Sequence, residues 1–312
     1  MRSRLVLFAL VCISAGVLGA VPALQDQEDV RGAFLTSRPK EKTVAGPNAK
    51  PSRKRPKAAV AANDARVTSG NTSGNPKNST GSTSTNRAAS ADKTRPMPIN
   101  ARRLGLGLTL FMRDSNGLAI RTDPSHVFHK GDRVRVLLET NSDGYLYIFN
   151  TTNDGPPIML YPDPELDEAG NYLQAHVPFE IPSSLGAEER LRWLAFDENA
   201  GDERLFFVFT REPLKGIPLE DDLITLCRDA KASCPVRPTD ELWADLQKQM
   251  KQPLQTAQTA QTEGYGTAQT KSEQQATTRG LGLAKDDPLP ALIMMASSAS
   301  SRLVTALDLV HK

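Results

Sequence analysis

"GDRVRVLLETNSDGYLYIFNTTNDGPPIMLYP", residues 131–162, decides the fold class. Val134, Val136 and Leu138 alternate with Arg133, Arg135 and Glu139, which is the period of a strand with one apolar and one wet face. Tyr145, Tyr147 and Phe149 then share one side of a second strand, with Leu146 and Ile148 on the other. Apolar residues on both sides place that strand centrally, covered above and below. Between the strands, "NSDG" and "NDGPP" offer Gly, Asn and Asp where a turn needs positive φ.

The flanking sequence continues this pattern. "LGLGLTLFM" puts Leu104, Leu106, Leu108, Leu110 and Met112 on one side and Gly105, Gly107 and Thr109 on the other. "LQAHVPFEI", "LRWLAFDE" and "RLFFVFTRE" supply further strands, the last again apolar on both faces. Seven or eight short strands with regular turns and no helical period between them predict a mainly β chain, an antiparallel β-sandwich over residues 101–215.

After it the period changes. "IPLEDDLITLCRDA" spaces Leu219, Leu223, Leu226 and Cys227 on a helical stripe. "TDELWADLQKQM" begins with a Thr239 cap and turns Leu242, Trp243, Leu246 and Met250 to one side. Two short helices within 216–250 are therefore expected as an appendage to the sandwich. Residues 251–279 are Gln/Thr-rich and aperiodic, and are expected to form a flexible loop. Residues 280–312 turn apolar again and are expected to return to the sheet as strands, being too few to bury a core alone.

The N-terminal hundred residues differ in kind. Arg2 and Arg4 precede the apolar run "LVLFALVCISAGVLGAV", the pattern of a secretory signal peptide over residues 1–23. Cleavage is expected after Ala23, with Ala20 as the alternative, and the mature chain is expected to be periplasmic or extracellular. Residues 24–100 are rich in Ser, Thr, Asn, Gly, Pro and Ala, with 14 Lys/Arg against 6 Asp/Glu. With so few aromatic or branched apolar residues they predict a long disordered basic linker. From residue 101 onward the balance reverses, 22 Lys/Arg against 30 Asp/Glu. A basic arm can make peripheral electrostatic contact with anionic envelope components, or merely keep a linker extended. No aromatics stand among its charges to stack bases, so nucleic acid is not expected as a partner.

The stretch from about 104 to 214 resembles a bacterial family, the domain of unknown function 4384 family. The resemblance is carried by "GDRVRVLLETNSDGYLYIFN" (131–150), "IMLYP" (158–162) and "ERLFFVFTREPL" (203–214). It implies a bacterial, exported or envelope-associated protein with an all-β accessory domain. It implies no catalytic residues.

Reactive constellations are few. Cys227 and Cys234 stand seven positions apart in a chain read as exported, so a structural disulfide is expected between them, not a redox pair. His126 and His129 of "HVFH" fall on opposite faces of a strand with no third ligand near, and "DPELDEAGN" (163–171) lacks the register of a calcium loop. No metal or cofactor is expected. The two "GLGL" strings lack the third glycine of a dinucleotide fingerprint. Tyr145, Tyr147, Tyr161, Tyr172 and Trp193 remain as a candidate binding platform. The expected function is an exported, non-catalytic β-sandwich that binds a partner protein or envelope polymer. The alternatives are a secreted hydrolase with paired carboxylates and a self-associating structural envelope component.

Overall fold

The computed structural model describes residues 24–41, 103–163, 170–228, 236–259, 264–297 and 300–312. The expected signal peptide, the linker from 42 onward, most of the acidic turn at 163–171, and Cys234 lie outside the described residues. Within them, no helix is long and apolar enough to cross a membrane.

Two sheets face each other. Sheet A contains β1 (Gly105–Arg113), β2 (Ala119–Arg121), β4 (Arg133–Thr140), β8 (Phe179–Ile181), β9 (Leu194–Ala195), β11 (Leu254–Gln258) and β12 (Leu292–Ala296). Its main order is β11-β12-β1-β4-β8, with β2 beside β1 and β9 beside β4. Sheet B contains β3 (Val127–Phe128), β5 (Gly144–Thr152), β6 (Ile158–Tyr161), β7 (Tyr172–Leu173), β10 (Gly201–Thr210) and β13 (Arg302–His311). Its order is β3-β13-β10-β5-β6, with β7 also on β5, and every pairing in both sheets is antiparallel except β3 with β13.

The core between the sheets follows from alternation. Leu104, Leu106, Leu108 and Leu110 with Val134, Val136 and Leu138 point inward from sheet A, and meet Leu146, Ile148, Leu205, Phe207 and Phe209 from sheet B. Because β5 and β10 are apolar on both faces, their other residues must be covered too. Tyr145, Tyr147, Phe149, Phe206 and Val208 lie beneath α2 (Glu220–Arg228) and α3 (Asp240–Met250), which set Leu223 and Leu246 against them. The Thr239 hydroxyl accepts from the Leu242 N–H and starts α3. The final strands enter both sheets: β12 pairs with β1, and β13 runs the length of β10 over ten residue pairs. Gly144 of "DGYLY" is required by a close approach, since a Cβ there would meet the Thr210 carbonyl oxygen at 2.6 Å and the Phe209 ring at 2.7 Å.

Three expectations are corrected. Residues 24–41, read as the start of the linker, instead form α1 (Leu24–Leu35) and a following turn. Val30, Ala33 and Phe34, at i, i+3 and i+4, pack on Ala257, Ile293 and Met295 of the outer face of sheet A. A stripe of three residues disappears in composition averaged over a long polar segment. Residues 251–279, read as a flexible loop, contain β11 and α4 (Lys271–Arg279). Thr270 and Glu273 form a capping box at the start of α4, and Gly280 ends it at φ 63°. Last, the supposedly wet face of β4 is covered: Arg135 and Glu139 are buried. The chain is layered as α1 with the 264–291 segment, sheet A, sheet B, then α2 and α3.

Both "GLGL" strings thereby acquire structural meanings. Gly280 is the left-handed cap of α4. Gly105 and Gly107 open a groove on sheet A, where added Cβ atoms would lie 2.9 Å from Phe34 Cδ2 and 2.3 Å from Pro290 Cγ.

Candidate functional site

The outer face of sheet A, under α1 and the 264–291 segment, holds the described residues with the most chemistry. Strand alternation sends Arg135, Leu137 and Glu139 of β4 outward, and Glu180 of β8 stands across from Leu137. With Glu273 of α4, Glu139 and Glu180 make three buried glutamates, each with its own cationic or amide partner.

Glu139 lies at the centre. Arg38, just beyond α1, forks onto it, with Nε donating to Oε1 at 2.8 Å and Nη2 to Oε2 at 2.6 Å. The rest of the guanidinium donates to the carbonyls of Ala284, Asp287 and Pro288 at 2.9–3.1 Å. Neither side chain of this pair is more than 2 % exposed. Glu139 Oε1 also meets His176 Nδ1 at 2.7 Å, and His176 Nε2 meets Ser37 Oγ at 2.7 Å. His176 holds left-handed backbone at φ 58°, with its N–H on the Thr140 carbonyl and the edge of its ring packed against Phe34. Such a conformation costs a non-glycine residue on the order of 1–3 kcal/mol and persists only where surroundings impose it. Ser37 itself is exposed, and its Oγ also lies 2.9 Å from the Phe34 carbonyl.

The second carboxylate, Glu273, pairs with Arg121, whose guanidinium lies over the Phe111 ring at 5.3 Å. The third, Glu180, accepts from Gln269 and lies 3.9 Å from Arg135. Arg135 stacks over Trp193 at 4.1 Å and donates twice to the Arg192 carbonyl. Burial holds the Arg135 guanidinium below its ordinary range, an effect Glu180 opposes and Arg192 reinforces. A cavity of about 10 Å³, bounded by Thr109, Glu139, Glu273 and Pro290, lies among these groups and is no larger than one water molecule needs. At the end of the sandwich a roomier groove of about 280 Å³ runs past Gln249, Gln252, Ser297, Ser300 and Arg302. Among its described lining residues the one charged group, Arg302, is paired with Asp245.

The aromatic platform expected from the sequence is not formed. Tyr145 and Tyr147 are buried beneath α2 and α3, and Tyr172, half-buried, packs edge-on to Tyr145 at 5.3 Å. Tyr161 lies in the core between the sheets, and Trp193 lies under Arg135 on the other sheet. The reason is the two-sided cover of β5, which turns both of its faces into interior. Burial pushes the Tyr147 phenol above its ordinary pKa, and its oxygen accepts the Leu214 N–H at 3.1 Å. His126 and His129 are exposed, and no group of three potential metal ligands occurs among the described residues. Sequence reading missed Ser37, Arg38, Glu139 and His176. Only the order Phe34-x-x-x-Arg38 after a short apolar stripe hinted at a docked helix, and nothing local linked it to Glu139 or His176.

The sandwich strands carry a family likeness. The model of the family described as a domain of unknown function, DUF4384, matches residues 127–213. That span runs from β3 through β10 and leaves out β1, β12 and β13, which complete both sheets here. No curated protein and no solved structure gives a significant match to the chain.

Proposed function

We propose that this chain is an exported, envelope-associated binding module in which the sandwich presents a basic segment to an anionic polymer of the cell envelope. The observation that supports this reading is where the segment begins and ends. Arg38 is tied to Glu139, the register partner of Gly107, while Arg103 bonds the Ala296 carbonyl two residues before β1. Both roots of residues 42–102 therefore stand at one corner of sheet A. Those 61 residues carry twelve Lys/Arg and two Asp/Glu, against 21 and 30 from residue 103 onward. A cationic segment joined at both ends to an otherwise acidic body favours anionic polymers as partners.

Co-sedimentation of the mature chain with isolated envelope polymer tests this. Retention is expected at low salt, with progressive loss as salt shortens the Debye length. A variant with Arg53, Lys54, Arg55 and Lys57 replaced by Ser is expected to lose most of it. Retention that salt and this replacement leave unchanged would dismiss the reading. The paired-carboxylate hydrolase gains no support from the geometry, because Glu139, Glu180 and Glu273 each face an arginine, whereas such a mechanism needs one acid kept protonated.

Export also places Cys227 in an oxidising compartment, and we propose its pairing with Cys234 as a clamp on the end of α2. Closing so short a ring contributes about 2–3 kcal/mol. Reduction of the mature chain, or Cys227→Ser, is expected to lower the unfolding free energy measured in urea by that amount. Mass spectrometry that finds two free thiols in protein recovered under oxidising conditions would remove the clamp.

A further inference from the structure

We infer that Ser37 is a nucleophile for acyl transfer, with His176 as its general base and Glu139 as the carboxylate that orients the imidazole. This goes beyond polymer binding and does not depend on it. The geometry is that of a relay: Ser37 Oγ to His176 Nε2 at 2.7 Å, and His176 Nδ1 to Glu139 Oε1 at 2.7 Å. Both distances lie within the reach a nucleophile–base–orienter chain requires. The members differ in exposure as the chemistry demands. Glu139 and His176 are 2 % and 1 % exposed, while Ser37 is open to solvent.

Arg38 decides the tautomer. Its bidentate fork pairs with Glu139 as a carboxylate. An ionised Glu139 can only accept, so the Nδ1–H of His176 donates to it, and the Nε2 lone pair is left facing Ser37. The serine hydroxyl has one hydrogen and two acceptors near it, the Phe34 carbonyl at 2.9 Å and Nε2 at 2.7 Å. A clasp for α1 would be complete with Arg38 and Glu139. The strained His176 backbone and the exposed hydroxyl at the end of the chain of bonds are what the clasp does not need.

In the reaction, Ser37 Oγ bonds to the carbonyl carbon of an ester as its proton passes to His176 Nε2, and the carbonyl electron pair moves onto oxygen. Collapse expels the alkoxide, which leaves as the alcohol with the proton from Nε2. Water then repeats the sequence on the acyl-serine, giving its proton to Nε2, and the carboxylic acid is released as Ser37 recovers its hydrogen. The substrate class is small, unhindered carboxylic esters, because Ser37 lies at the surface and not in a cleft. The Ser37 backbone N–H has no backbone partner among the described residues and is the donor we assign to the oxyanion. Ser37 also follows the C-terminus of α1, where the helix dipole disfavours negative charge. Each missing oxyanion donor lowers turnover on the order of 10²–10³-fold, so covalent capture is the proper readout.

The mature full-length protein is treated with a fluorophosphonate probe and analysed by intact mass and peptide mapping. One adduct per chain, on Ser37, is expected, absent from Ser37→Ala. Labelling of His176→Gln is expected to fall at least about 100-fold, the usual worth of a general base. Circular dichroism checks that each variant is folded, and Ser37→Ala loses only the hydroxyl with its bonds to Phe34 and His176. Folded wild-type protein that takes no adduct at Ser37, or labels equally at other serines, overturns the inference without touching the polymer-binding proposal.

Discussion

Glu139→Ala is expected to destabilise the protein by about 3–5 kcal/mol, the usual loss when one partner of a buried ion pair is removed. The carboxylate answers two groups at once, the Arg38 fork and the His176 ring. Its removal leaves a guanidinium that is 0 % exposed at its side chain with backbone carbonyls alone for partners. The least costly escape is for Arg38 to return to water, and α1 must go with it. Phe34 would then leave the groove over Gly105 and Gly107, exposing Ile293 and Met295. Urea unfolding measures the loss, and limited trypsin digestion after Arg31 and Lys40 reports the release of α1. The double variant Arg38→Met with Glu139→Leu is expected to recover much of the stability, since it removes the charge along with its partner. A loss below about 1 kcal/mol for Glu139→Ala would mean that α1 is held by its apolar stripe alone.

Phe207→Ala is expected to cost a similar 3–5 kcal/mol, for a different reason. Phe207 is fully buried on β10, the strand that pairs with both β5 and β13, and its ring fills the space between the two sheets. Truncation removes apolar contact on the inner face and leaves a cavity that two sheets held by full hydrogen-bond ladders cannot close. The neighbouring Phe206 faces the other way, toward Trp243 at 4.8 Å. Helices α2 and α3 can settle into a gap there more easily than a sheet can, so Phe206→Ala should cost less. Thermal and urea unfolding of the two variants side by side checks the order. The reverse order would show that the helical layer, not the space between the sheets, is the stiffer part of the core.

Much of the fold was legible in the chain because a strand's side chains alternate regardless of what lies far away. Leu146 and Ile148 against Tyr145, Tyr147 and Phe149 predicted a centrally placed strand, and β5 has β10 on one side and β6 and β7 on the other. Thr239 before an apolar stripe marked α3, since a cap is a local hydrogen bond. The capping box of Thr270 and Glu273 was equally readable and was obscured only by the polarity of its surroundings.

The site was not legible, and the cause is distance along the chain. Arg38 and Glu139 are 101 residues apart, and His176 is a further 37 on. Alternation assigned Glu139 to the outward face of β4 and said nothing of whether α1 and the 264–291 segment would cover that face. The aromatic residues failed as a platform for the converse reason, because a tyrosine on a strand reads alike whether its face meets solvent or a helix. Local sequence thus determined which residues share a face. Only the tertiary structure decided which faces meet water, because burial depends on contacts between segments whose spacing in the chain carries no periodic trace.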